Sequence, residues 1–112
     1  MTRGEIRLAN FGIPYGSEAG YVRPVLIVQD NDFNESKIRT IVVLPLTTNL
    51  NLTDAPGNVF ISKKESKLNN DSVIIASQLY AIDRSKISDK ISKVSKEIML
   101  QVEIGMKLVL GM

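Results

Sequence analysis

The sequence predicts a mainly β domain: a small curled antiparallel barrel of short strands, finished by one C-terminal α-helix. Three observations predict it. Two continuously apolar, β-branched-rich runs, Val25 to Val28 and Ile41 to Leu46, stand one turn apart. Further short apolar runs recur between clusters of Gly, Pro, Asn and Asp. Apolar residues at helical spacing occur only after Ser95. With 112 residues, the chain is expected to form one domain over its whole length, 1–112.

Ile6 to Phe11 reads as the first strand, entered from Arg3-Gly4. A loop of wide backbone freedom follows, with Gly12, Pro14, Gly16 and Gly20. Pro24 to Gln29 is the next strand, and a proline suits its start, where a missing donor is tolerated. Asp30-Asn31-Asp32 and Asn34-Glu35-Ser36 supply turn chemistry, so Thr40 to Leu46 should return antiparallel to its predecessor. Neither run alternates with polar residues, which predicts cover on both faces, from a barrel plus a helix or a second subunit. Thr47 to Asn58 is a long polar loop of a kind more often functional or mobile than idle. Val59-Phe60-Ile61 is a short strand, Leu68 to Asp71 a turn, and Ser72 to Leu79 another strand. Asp83 to Ile87 reads as a short helical turn and Ile91 to Val94 as the last strand.

The tail is a helix capped by Ser95, with Glu97 set against the positive partial charge of its first turn. Ile98, Val102, Gly105, Met106 and Val109 share one face. Leu100, Ile104 and Leu108 form a second apolar stripe on the other side. One stripe on the barrel and one on a partner accounts for both, and predicts a homodimer; burial of the whole helix in its own domain is the alternative.

Composition narrows the chemistry. The chain has no Cys and no His, which excludes disulfides, thiolate zinc sites, imidazole acids and bases, and Ser-His or Cys-His nucleophiles. A carboxylate-only Mg²⁺ site stays open. Any catalysis must come from Arg, Lys, Glu, Asp, Tyr, Ser or Thr. Net charge is +2 and the pI about 9.0, compatible with a polyanion partner without requiring one. No apolar run approaches a bilayer span, and the start of the chain lacks a secretory core, so the cytoplasm is the expected location and no membrane partner is expected.

Two constellations carry the functional argument. In Gly16-Ser17-Glu18, Gly20 and Arg23-Pro24, a flexible loop delivers an arginine to the mouth of a buried strand. In Pro45-Leu46-Thr47-Thr48 the neighbouring strand ends in hydroxyls. If the two strands pair through the intervening turn, Arg23 and Thr47 lie side by side at one rim of the sheet. Taken in order with Arg3-Gly4-Glu5-Ile6, Asp71-Ser72-Val73-Ile74 with Gln78, and Ile91-Ser92-Lys93-Val94-Ser95 with the closing helix, these motifs resemble the MazF/PemK family from about Arg3 to Leu110. Each motif alone is weak, and their shared order over the chain is specific. Glu5 stands where that family more usually has Asp, and Val22 where some members carry His.

The resemblance implies an SH3-like curled barrel, a homodimer with an RNA groove across its interface, and toxin function in a toxin–antitoxin pair. It implies sequence-specific, metal-independent cleavage of single-stranded RNA by the ribose 2′-hydroxyl, with no cofactor, and a cognate MazE-like antitoxin as partner. By that likeness Arg23 and Thr47 are the catalytic pair. Glu18, the only nearby carboxylate, is the physical candidate for the base or for ordering Arg23. Ser17, Tyr15, Thr48 and Gln78 are the candidate RNA-binding residues, with Tyr15 placed to stack a base. Read singly, each has a plainer role: Arg23 as a surface partner of Glu18, Thr47 as a strand end, Gln78 as a hydrogen bonder within the sheet. A toxin on the same barrel that binds and poisons DNA gyrase without catalysis is the rival reading, as is an inactive nucleic-acid-binding barrel.

Overall fold

The computed structural model describes residues 1–12, 16 and 21–112. Among them the strands are β1 (Glu5–Asn10), β2 (Val22–Ile27), β3 (Thr40–Thr47), β4 (Val59–Ile61), β5 (Ser72–Ile74), β6 (Tyr80–Asp83) and β7 (Ile87–Lys93). The helices are α1 (Asn31–Asn34), α2 (Lys63–Ser66) and α3 (Lys96–Leu110), with 3-10 turns at Leu50–Asp54 and Arg84–Lys86. All strand pairs are antiparallel, in the order β4-β5-β3-β2-β1-β7, with β6 also on β3. The curled antiparallel sheet with a closing helix is the architecture the sequence predicts.

β3 is the central strand, and its apolar run is buried on both faces as expected. Leu44 and Leu46 join Ile6, Leu26, Val28, Val59, Ile61 and Ile74 in the larger core, which Ile98 and Val102 of α3 close. Ile41 and Val43 face the other way, with Ala9, Val25, Ile27 and Ile82. Phe11 and Tyr80 cover that second cluster and meet edge to face, ring centroids 5.1 Å apart.

The turn between β2 and β3 holds more structure than its polar sequence suggests. Asp30 caps α1 by accepting the Asp32 N–H at 2.8 Å. Asn34 is buried, and its amide donates to the Gln29 carbonyl at 2.9 Å while its oxygen accepts from Gln29 Nε2 at 3.1 Å. Arg84 closes the turn from outside, donating to the carbonyls of Ile38 and Asn34, each at 2.7 Å. A turn pinned at this many points fixes the β2–β3 register.

Two expectations need correction. Ser72 to Leu79 is not one strand: β5 ends at Ile74, a turn follows, and β6 starts at Tyr80. The reason lies on β3. Pro45 accepts the Ile75 N–H at 3.0 Å but has no N–H to return, so a regular ladder would leave a buried carbonyl opposite it. The chain turns away instead, and three steps on β3, from Leu46 to Val43, correspond to six on its partner, from Ile74 to Tyr80. The last strand is longer than Ile91 to Val94, because β7 begins at Ile87 and runs beside β1. Between β4 and β5, where the sequence predicts no element over residues 62–67, α2 is N-capped by Ser62 and closed by Lys67 at φ 63°.

α3 matches its expectation closely. Ser95 accepts the Ile98 N–H at 3.2 Å, Glu97 sits in the first turn, and Gly111 ends the helix at φ 70°. Ile98, Val102 and Gly105 are buried, whereas Leu100, Ile104 and Leu108 are 59%, 61% and 60% exposed. Gly105 lies directly on Gly57, itself at φ +89°, so backbone meets backbone where the long loop after β3 reaches the helix. That loop is anchored rather than loose: the Asn58 side chain donates to Leu52 O at 3.0 Å and accepts the Ala76 N–H at 3.1 Å.

Candidate functional site

Arg23 and Thr47 come from adjacent strands. Val25 pairs with Pro45, Leu26 with Leu44 and Ile27 with Val43. Two further steps in the same register bring Arg23 opposite Thr47, although the paired ladder itself ends at Val25 and Pro45. Side chains alternate along a strand, so Arg23 shares a face with Val25 and Ile27, and Thr47 shares one with Pro45 and Val43. Val25, Ile27 and Val43 belong to the same cluster. The arginine and the threonine therefore stand at the open end of that face, both half-buried.

On the edge of β3 away from β2, Thr47 pairs with Val73 of β5. On its other side Arg23 pairs with Ala9 of β1. The guanidinium donates to none of the described residues and forms no ion pair with them. A half-buried arginine with its donors unspent at a sheet rim is suited to grip an anion bidentately. The Thr47 hydroxyl oxygen accepts the Asn49 N–H at 3.2 Å, which fixes its rotamer and leaves its proton and one lone pair for a ligand.

Thr48 is exposed and opens onto a polar cleft of about 380 Å³ that it shares with Leu50, Lys63, Asn70 and Asp71. Gln78 lies in the turn between β5 and β6, and its side-chain oxygen is buried with no hydrogen-bond partner among the described residues. An unpaired buried acceptor costs about 1–3 kcal/mol, a penalty a donor on a ligand would relieve. Tyr15, Ser17 and Glu18 lie outside the described residues. One feature escaped the sequence reading: Asn70 and Asp71 read as part of a turn, and nothing local marked their convergence with Lys63 on Thr48. Tyr21 is 66% exposed at φ 58°, two residues before Arg23. A left-handed backbone is unusual for a tyrosine and costs about 1–2 kcal/mol.

A family model described as a PemK-like, MazF-like toxin of type II toxin–antitoxin systems matches residues 2–110. The chain belongs to the PemK/MazF toxin family. It is 36% identical over 112 residues to an endoribonuclease MazF of Staphylococcus epidermidis, covering all of this chain and 92% of that one. It is 31% identical over 112 residues to endoribonuclease MazF6 of Mycobacterium tuberculosis strain H37Rv, covering 98% of that protein. Its fold is that of solved MazF toxins. MazF from Deinococcus radiodurans superposes with a TM-score of 0.82 at 21% identity, covering all of this chain and 97% of that one. A mycobacterial endoribonuclease in complex with its cognate antitoxin gives 0.80 at 22%, covering all of this chain and 96% of that one. Among the described residues no helix is long and apolar enough to cross a membrane.

Proposed function

We propose that this PemK/MazF-family toxin is a cytoplasmic endoribonuclease that cuts single-stranded RNA at a phosphodiester held between Arg23 and Thr47. The observation that carries the reading is the β2–β3 register, which directs an uncommitted guanidinium and a rotamer-fixed hydroxyl to one open sheet rim. The ribose 2′-oxygen attacks the adjacent phosphorus and the bond to the 5′-oxygen breaks, leaving a 2′,3′-cyclic phosphate and a 5′-hydroxyl. The 2′-proton passes to the base, and the leaving 5′-oxygen gains a proton. Arg23 stabilises the charge that builds on the phosphoryl oxygens, an effect typically worth roughly 10²–10³ in rate. Thr47 orients the 2′-hydroxyl. Its hydroxyl is a weak base, so Glu18 is the candidate to take the proton. DNA lacks the attacking group and should resist.

The α3 stripe of Leu100, Ile104 and Leu108 supports a homodimer, in which those side chains leave water. The partner we assign, a MazE-like antitoxin, rests on the family and on the mycobacterial and Deinococcus complexes of its structural neighbours. The names of its relatives favour RNA cleavage over the gyrase-poisoning rival.

The test is incubation of the purified protein with a long single-stranded RNA in excess EDTA. Discrete fragments ending in cyclic phosphate are expected, and Arg23→Ala should abolish them. Intact RNA together with measurable gyrase inhibition would instead establish the rival.

A further inference from the structure

The cleft beside Thr48 is not used by the cleavage chemistry. Its walls are Thr48 and Leu50 from the loop after β3, Lys63 at the start of α2, and Asn70 and Asp71 ahead of β5. At about 380 Å³ it falls within the range of small-molecule pockets. Asp71 is locked in place, because its Oδ1 accepts the Lys63 backbone N–H at 2.8 Å. Among the described residues nothing hydrogen-bonds or ion-pairs the second Asp71 oxygen, the Lys63 ammonium, the Asn70 side-chain amide or the Thr48 hydroxyl. Four polar groups thus face one small space with their capacity unspent.

We propose that this cleft binds the base of the nucleotide next to the cut and selects bases with an exocyclic amino group over uracil. The proposal rests on the nuclease reading, and it names a part of the substrate that reading leaves open. Position supports it. Thr48 follows Thr47 directly, and Val73, the strand partner of Thr47, stands two residues after Asp71. Cleft and scissile phosphate therefore share the end of the β3–β5 pair.

Chemistry then decides what enters. An ionised carboxylate only accepts hydrogen bonds, so the free Asp71 oxygen calls for a donor. It also repels phosphate, which argues that the cleft takes a base and that Lys63 is not simply a backbone clamp. Adenine, cytosine and guanine each carry an amino group beside a ring nitrogen or carbonyl acceptor. The amino group suits Asp71 and the adjacent acceptor suits the Lys63 ammonium. Uracil seated as cytosine would be sets its O4 carbonyl against the carboxylate and its N3–H against the ammonium, reversing both contacts. Leu50, half-exposed, offers an apolar wall to the base plane.

The discriminating variant is Asp71→Asn. Its oxygen can still accept the Lys63 N–H, so the local fold is kept, while its NH₂ replaces the free carboxylate oxygen and turns an acceptor into a donor. Each protein is incubated with a randomised single-stranded RNA pool, and the bases flanking the cuts are sequenced. The parent should disfavour uracil at one flanking position by roughly 10- to 100-fold, the discrimination of one good base contact. Asp71→Asn should bring that ratio to parity or reverse it, and Lys63→Ala should reduce it. The ratio is internal to each protein, so partial unfolding of a variant cancels. Equal use of all bases by the parent, or an unchanged profile in Asp71→Asn, overturns the subsite while leaving the nuclease standing. No cleavage by the parent overturns both.

Discussion

Replacing Gly105 by alanine should unfold the C-terminal helix from its bed, against the ordinary effect of that substitution. In an exposed helix interior, glycine to alanine stabilises by about 1 kcal/mol. Here the new Cβ would overlap the carbonyl oxygen of Gly57 and approach its carbonyl carbon to 3.0 Å and its Cα to 3.2 Å. These are backbone atoms, so no rotamer change relieves them, and α3 must move outward. Movement draws Ile98 and Val102 away from Val59 and Ala76 in the larger core. Overpacking costs about 1–3 kcal/mol by itself, and partial re-exposure of two aliphatic side chains adds about 1–2 kcal/mol. Less the helical gain, a net loss of about 1–4 kcal/mol is expected. For a domain of this size that is a fall in Tm of roughly 4–16 °C. Thermal unfolding by circular dichroism at fixed protein concentration reads it, with Lys107→Ala on the same helix as control. A Tm equal to or above the parent's would refute the contact, since helix propensity alone predicts that sign.

Glu5 should make the fold acid-sensitive. Its burial opposes ionisation, but the Thr2 N–H at 3.0 Å, the Arg7 guanidinium at 2.9 Å and the Thr2 hydroxyl outweigh it and hold the pKa at about 2. The folded value lies below the unfolded one of 4.5, so this stability is complete above about pH 5 and drains away between 4.5 and 2. The shift corresponds to roughly 3 kcal/mol at most, and urea titrations near pH 6 and about pH 3 should show Glu5→Gln losing most of the parent's difference. Ile104→Glu should turn a sedimenting dimer into a monomer, and an unaltered dimer would place the interface elsewhere. Thr47→Ser should keep cleavage within about tenfold of the parent and Thr47→Val should lose roughly 10² or more. Should Thr47→Val remain fully active while Glu18→Gln is dead, the hydroxyl has no part in the reaction.

Much of the scaffold could be read from the chain because its signals are local. The unbroken Val25–Val28 and Ile41–Leu46 runs announce strands covered on both sides, and Ser95 with its downstream periodicity announces α3 to within a residue. What escaped depends on partners. The break between β5 and β6 follows from Pro45, about thirty residues upstream, lacking a donor at the point of contact. Gly57 and Gly105 look like unrelated small residues until the fold sets one on the other. The same holds at the candidate site. The nearness of Arg23 to Thr47 could be read because one hairpin relates them, whereas Asp71 reaches Thr48 only through the β3–β5 pairing.

The ladders also show why the proposed site suits this rim. β3 is held on one edge by β2 over Val43 to Pro45, and on the other by β6 up to Val43 and by β5 at Leu46 and Thr47. Past Val25 the β2–β3 ladder stops, while Arg23 stays paired with Ala9 of β1 and Thr47 with Val73 of β5. Each candidate residue is therefore held from its outer side, with no ladder between the two. That arrangement keeps both side chains on a rigid base, as a catalytic geometry requires, yet leaves the space between them free of backbone pairing, which is where the proposed reading seats the phosphodiester.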